Sequence, residues 1–269
     1  MRLDRYLAEK ELLPSRTLAQ KVIRLGGVQL NGVVILDVAH EVQPTDTVSL
    51  AHLPLMDFVS QGALKLVKAL QLFDLNFHGL RVWDIGASTG GFTQCALQYG
   101  ARVVYATDVG HDQLHPTLRD DPRVRSSEGF NVKDVTAELF APTEGIDVAL
   151  CDVSFISLAA IFPVMAPLLP EQGWAIVLVK PQFEMGERFA DKQGVVRGKK
   201  VHVRILEQVI QEARAHGLSP AGLTYSPLGG GRQKNIEYLL WLKKGIVDHN
   251  NYPLLVHSVV EQAHQTLGA

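Results

Sequence analysis

Cysteine, long apolar runs and an excess of charge of either sign are what this chain lacks. Only two cysteines occur, Cys95 and Cys151. Neither has a neighbour at the spacing of a metal clamp or a redox pair, so no metal site is expected and both read as reduced core thiols of a cytosolic protein. The longest apolar stretch, residues 158–169, is broken by Pro163 and Pro167 and falls short of the roughly 20 residues that span a bilayer. The opening residues Met1-Arg2-Leu3-Asp4-Arg5-Tyr6 lack the apolar core of a secretory signal. No membrane association is expected. With 26 Lys plus Arg against 28 Asp plus Glu, the net charge is -2. That balance gives no global attraction to nucleic acid, so RNA binding requires a local patch.

What is present is apolar content of 46% in 269 residues, enough for two cores of unequal size. Residues 1–50 read as a small α+β unit, with helices over 2–10 and 15–25 and short strands after them. Ser15 is the expected N-cap of the second helix. Asn31-Gly32, between the apolar runs 28–30 and 33–36, reads as a hairpin turn because both residues tolerate positive φ. Residues 51–60, containing Pro54, read as a linker, and residues 61–269 as the larger domain.

In that domain a helix over 61–73 precedes alternating elements. Strands are expected at 81–85, 102–107, 123–127, 147–151 and 174–179, and helices at 92–98, 111–118, 156–168 and 201–216. The alternation implies an α/β fold with a mostly parallel, Rossmann-like sheet. Two consecutive strands, 218–225 and 235–242, imply an antiparallel edge hairpin, and 253–267 a final helix.

The most informative stretch is Asp84-Ile85-Gly86-Ala87-Ser88-Thr89-Gly90-Gly91-Phe92-Thr93, which joins the first of these strands to a helix. Its small residues permit a sharp turn and close approach of a ligand. Asp108 ends the next strand, where a carboxylate meets ribose hydroxyls. Ser88 stands where a pyrophosphate-binding loop needs its second glycine. This disfavours a dinucleotide oxidoreductase and suits S-adenosyl-L-methionine, which carries no phosphate. Asn131 is placed to face an adenine edge, and Asp84 either to receive an ammonium or to order the loop. Asp152 and Lys180 end the fourth and fifth strands, so both are expected in the crevice at the carboxyl ends. Burial of Lys180 favours its neutral form, as a general base requires.

These residues carry a resemblance. The glycine-rich stretch, Asp152-Val153-Ser154-Phe155-Ile156-Ser157, Lys180-Pro181-Gln182-Phe183-Glu184, Gly62-Ala63-Leu64-Lys65-Leu66, Gly194-Val195-Val196-Arg197 and Asn235-Ile236-Glu237-Tyr238 together resemble the TlyA (hemolysin A) family of ribosomal RNA 2'-O-methyltransferases. That family's catalytic domain is similar to the FtsJ-type RNA methyltransferases, whose Lys-Asp-Lys-Glu tetrad falls here on Lys65, Asp152, Lys180 and Glu237. The resemblance implies a class I methyltransferase domain that uses S-adenosyl-L-methionine, held by Asp84, Gly86, Ser88, Thr89, Gly90, Gly91, Phe92, Asp108, Asn131 and Asp152. It also implies transfer to a cytidine ribose of 16S or 23S RNA. Lys68, one turn beyond Lys65, competes for the same role, and only the family match selects Lys65. Glu237 alone would read as a solvated charge opening an edge strand. Two departures from the family pattern concern substrate contacts: Gln61 where arginine is expected, and a flexible Gly229-Gly230-Gly231 loop.

Residues 1–50 resemble an S4-like RNA-binding domain. The first 25 residues carry six basic and three acidic side chains, and residues 26–50 three acidic and no Lys or Arg. Arg2, Arg5, Arg16, Lys21 and Arg24 are therefore the expected phosphate contacts. Arg197, Lys199, Lys200 and Arg204 form a second basic patch expected beside the active site. The competing reading is an RNA- or ribosome-binding cytolytic protein without methyl transfer.

Overall fold

The computed structural model describes residues 1–143, 145–184, 190–229, 235–245 and 252–268. Gly230 and Gly231 of the glycine loop lie outside the described residues. The chain divides into two compact units, Met1–Phe58 and Val59–Ala269.

The first unit opens with α1 (Leu3–Glu9) and α2 (Arg16–Arg24). Ser15 has extended backbone and its Oγ accepts from Leu18 N at 3.2 Å, so the capping expectation holds. Helical spacing places Ala19, Val22 and Ile23 on one buried face, packed with Leu3 and Leu7. Each such aliphatic side chain contributes roughly 1.5–3 kcal/mol on burial. Strands β1 (Val28–Leu30), β2 (Val33–Val34) and β3 (Val48–Leu50) form an antiparallel sheet in the order β2-β1-β3. Asn31 and Gly32, at φ 51° and 80°, make the expected hairpin turn. The second strand stops two residues earlier than its apolar run.

A buried carboxylate organises this unit. Asp4 accepts from Arg2 (3.2 Å), Arg16 (2.9 Å) and Gln20 (2.7 Å). Burial alone would raise its pKa, but the hydrogen bonds from Arg2, Gln20 and Arg16 outweigh it and hold the carboxyl below the ordinary carboxylate range.

The second unit begins with α3 (Ala63–Phe73) and β4 (Arg81–Ile85). It continues through α4 (Gly91–Gln98), β5 (Val103–Asp108), α5 (Pro116–Arg119), β6 (Val124–Glu128) and β7 (Val148–Cys151). Then follow α6 (Phe162–Leu168), β8 (Trp174–Val179), α7 (Pro181–Glu184) and α8 (Lys199–Ala215). Strands β9 (Leu218–Tyr225) and β10 (Tyr238–Lys244) precede α9 (Tyr252–Leu267). The seven strands form one sheet in the order β6-β5-β4-β7-β8-β10-β9, parallel except for β10, which runs antiparallel to both neighbours. The mostly parallel sheet with an antiparallel hairpin at one edge is as expected. Its order reverses at β4, where a ligand crevice opens outside the carboxyl ends of β4 and β7. No described helix is long and apolar enough to cross a membrane.

Three expectations are corrected. The helix expected over 111–118 shrinks to α5, because Pro116 forces His115 into extended backbone and Glu128 takes the amides of Asp112, Gln113 and Leu114. The helix expected over 156–168 is a 3-10 turn, Leu158–Ala160, followed by α6, with Pro163 in its first turn. Glu237 precedes β10 rather than beginning it, and β10 is an interior strand with β9 at the edge.

Replacing Asp4 removes one acceptor from three donors at once. Asp4→Ala is expected to destabilise the first unit by about 1–3 kcal/mol, read as faster amide exchange across α1 and α2 in the full chain. Because the Asp4 pKa is depressed, its contribution persists above the ordinary carboxylate value and disappears only as pH falls through the lowered one.

Candidate active site

The loop after β4 is built by its neighbours. The amides of Gly86 and Ala87 both donate to Thr107 O at the end of β5, at 2.9 and 3.1 Å. Gly86 sits at φ 80°, and a Cβ there would lie 3.1 Å from Val153 Cγ1 and 3.2 Å from Asp152 O. Gly90, at φ 95°, would place a Cβ 2.3 Å from Leu118 Cδ1. These glycines thus permit close packing by the chain itself as well as the turn into α4. Ser88, at φ 48°, donates its amide to Asp108 Oδ2 at 2.8 Å, while Asp108 Oδ1 accepts from Gly110 N at 2.8 Å.

Beyond this loop lies a cleft of about 430 Å³. Its lining includes the polar Asp108 and Asn131 together with the apolar Val109, Phe130 and Ile156. Apolar lining residues together with a strand-end carboxylate fit an adenosyl group. Asn131 also caps a short turn, accepting from Lys133 N at 3.0 Å. Asp84 is placed differently. It is fully buried behind the loop and lines neither this cleft nor the next. Its Oδ2 accepts from Thr93 Oγ1 at 2.6 Å, and its Oδ1 has no hydrogen-bond partner among the described residues. Burial, partly offset by Thr93, pushes its carboxyl up to about 7.

A second cleft, about 360 Å³, contains Lys65, Phe92 and Lys180 and is bordered by Thr89 and Gly91. The two clefts share Gly86, Ser88, Asp152 and Ser154 as a common wall. At that wall four elements converge. Helix α3 supplies Lys65, the end of β7 Asp152, the end of β8 Lys180, and the segment entering β10 Glu237. Lys65 Nζ lies 3.2 Å from Asp152 Oδ2 and 2.9 Å from Glu237 Oε2, and Lys180 Nζ lies 2.7 Å from Asp152 Oδ1. Burial lowers the Lys65 pKa, but Asp152 and Glu237 more than reverse this, so its pKa is raised and it remains an ammonium at neutral pH. Lys68 does not share this site: its Nζ donates to Tyr225 O at 2.7 Å and lies 3.4 Å from that ring's centroid.

Sequence reasoning assigned nothing to three further contacts that tie the segment after β7 to the segment after β8. Lys180 Nζ donates to Ser154 Oγ at 2.9 Å, the rings of Phe155 and Phe183 pack with centroids 5.0 Å apart, and Ser157 Oγ donates to Glu184 at 2.7 Å. All six residues fall within the two quoted motifs. Asn235, in the third motif, accepts from Val196 N at 2.8 Å and donates to Gly194 O at 2.9 Å, joining that motif to the Gly194-Val195-Val196-Arg197 segment.

The expected basic patches are partly spent. Within the first unit Arg2 and Arg16 pair with Asp4, and Arg5 with Glu9. In the second unit Arg197 pairs with Asp191 at 2.8 Å and Lys199 with Glu261 at 2.7 Å, whereas Lys200 and Arg204 are exposed. None of these four lines either cleft. Gln61 precedes α3 and is partly exposed.

A buried carboxyl with a raised pKa favours folding most below its ordinary value of 3.8 and loses that advantage as pH rises toward 7. For Asp84→Asn, the melting temperature relative to the unsubstituted protein is therefore expected to move in the variant's favour between about pH 4 and about pH 8.

An FtsJ-like methyltransferase model matches residues 58–244, and an S4 domain model matches residues 1–48. Hemolysin A of Brachyspira hyodysenteriae is 40% identical over 89% of this chain and 98% of its own length. The 16S/23S rRNA (cytidine-2'-O)-methyltransferase TlyA of Mycobacterium tuberculosis is 37% identical over 90% of this chain and 89% of its own. A solved, hemolysin-designated protein of Streptococcus thermophilus superposes with a TM-score of 0.76 at 40% identity, covering 98% of this chain and 96% of that one. With well over half of its length matched by that model, the chain belongs to the FtsJ-like methyltransferase family.

Proposed function

We propose that this protein is an S-adenosyl-L-methionine-dependent ribosomal RNA 2'-O-methyltransferase acting on a cytidine ribose. The observation that carries the reading is the convergence of Lys65, Lys180 and Glu237 on and around Asp152, which lies in the wall shared by the two clefts, while both lysines line the second. One cleft suits an adenosyl group, and the other presents a lysine to an incoming hydroxyl. The names of the relatives support ribosomal RNA as substrate and cytidine as the modified nucleoside, and the S4 match supports an RNA-binding role for residues 1–48.

The cofactor supplies, when bound, a sulfonium methyl group open to in-line displacement. Asp108 and Asn131, with Val109 and Phe130, would hold its adenosyl part, and the Gly86 to Phe92 loop its amino-acid part. The chain's remaining task is to make a ribose hydroxyl nucleophilic and hold it in line, and orientation of this kind supplies much of a catalytic advantage. Lys180 Nζ is the proton acceptor. Asp152 holds both lysines, and Lys65, fixed as a cation by Asp152 and Glu237, adds positive charge beside the proton acceptor. After transfer the proton rests on Lys180 and leaves to solvent. Asp152 and Glu237 set carboxylates against the lysines, which makes burial of the group tolerable.

Labelled methyl groups are expected to appear in alkali-resistant dinucleotides of ribosomal RNA from a strain lacking the enzyme. Lys180→Ala should lower the transfer rate by about 10²- to 10⁴-fold. Label recovered on bases instead of ribose would discard this mechanism. On the first unit, Lys21→Glu with Arg24→Glu is expected to raise KM for RNA and flatten its salt dependence while leaving kcat nearly unchanged, as loss of positioning phosphate contacts would.

A further inference from the structure

Lys180 has two polar neighbours of different character. Asp152 Oδ1, at 2.7 Å, is close enough for a strong ion pair, but the contact is not an aligned hydrogen bond. Ser154 Oγ, at 2.9 Å, is an aligned acceptor for Nζ. An ion pair depends mainly on distance and leaves the amine free to turn about its Cε–Nζ bond, whereas a hydrogen bond selects a direction. Ser154 also lies in the common wall of the two clefts, where methyl donor and acceptor must meet.

From this we propose that Ser154 is a positioning residue that aims the Lys180 lone pair at the acceptor hydroxyl. The inference rests on the reading of Lys180 as proton acceptor. A neutral lysine amine carries two N–H groups and one lone pair. One N–H is fixed on Ser154 Oγ. Of the two positions left, the lone pair avoids the one nearer Asp152, because a lone pair facing a carboxylate oxygen is repelled. The lone pair therefore takes the remaining tetrahedral direction, into the cleft that holds Lys180 and Lys65. When the hydroxyl proton moves to this lone pair, the O–H electron pair is left on the ribose oxygen to form the new C–O bond. The C–S electron pair of the departing sulfonium stays on sulfur, and the proton remains on Nζ. Asp152 thus supplies charge and Ser154 supplies direction.

The surrounding structure holds Ser154 in place. Phe155, next to it, is exposed and at φ 65°, a left-handed conformation costly for a bulky residue, which persists only where neighbours dictate it. Those neighbours are Phe183 against its ring and Glu184, which accepts from Ser157 Oγ and Leu158 N. Both come from the segment that follows Lys180, so acceptor and donor are referenced to each other.

The test compares Ser154→Ala, Ser154→Thr and Lys180→Ala in single-turnover methyl transfer, alongside calorimetric binding of S-adenosylhomocysteine. Ser154→Ala is expected to slow transfer by about tenfold or more while leaving S-adenosylhomocysteine affinity within about twofold, and Ser154→Thr, which keeps the hydroxyl, to recover most of the rate. If Ser154→Ala transfers as fast as the unsubstituted protein while Lys180→Ala is inactive, the positioning role is overturned and the proton acceptor stands. A parallel loss of rate and affinity, or a Ser154→Thr no faster than Ser154→Ala, overturns it too. An active Lys180→Ala would instead discard the reading on which it rests.

Discussion

The larger unit depends on one carboxylate held between two lysines. Asp152 faces Lys65 through one oxygen and Lys180 through the other, and Glu237 completes the balance on Lys65. None of the four is more than lightly exposed, so each charge needs the others. Breaking such a pair by removing one member costs several kcal/mol, because a charge is left buried and uncompensated. Four separate parts of the fold must therefore arrive together: α3, the ends of β7 and β8, and the approach to β10. The antiparallel insertion of β10 between β8 and β9 makes this possible, since it carries Glu237 to the same end of the sheet at which the parallel strands finish.

The reversal of strand order at β4 does the rest. It separates the loops after β4 and β7 enough to open a crevice, yet Gly86 lets Asp152 O approach to a distance that a side chain would crowd. The loop that looks designed for a ligand is thus equally a packing device. Its amides are occupied by Thr107 and Asp108, so the cleft wall is set before anything binds. Preorganisation of this sort moves cost from binding to folding. The burial of Asp84, with one oxygen lacking a hydrogen bond among the described residues, is part of that cost.

Charge in the first unit follows the same economy. Six basic residues in the first 25 suggest a broad cationic surface, but Arg2 and Arg16 converge on Asp4 and Arg5 reaches Glu9. These guanidiniums remain partly exposed, so the helices still present positive potential, though less of it than counting implies. Lys21 and Arg24, in the last turn of α2, complement the helix dipole.

Local chemistry was legible in the sequence. Asn31-Gly32 had to turn, Ser15 had to cap, and the run Trp174–Val179 had to be a strand, because each follows from backbone preference and short-range pattern. The motifs also announced the family and named the four site residues. Tertiary structure decided what depends on partners distant in sequence. Glu128 removed most of an expected helix by taking three amides from the segment before Pro116. Tyr225 drew Lys68 away and left Lys65 facing Asp152, a choice spacing left open. Asp4 claimed two of the expected phosphate-binding arginines. Sequence by itself determined which groups were available and what each stretch preferred; only the folded chain decided which charges meet, because electrostatic pairing acts over a few ångströms of space and is indifferent to separation along the chain.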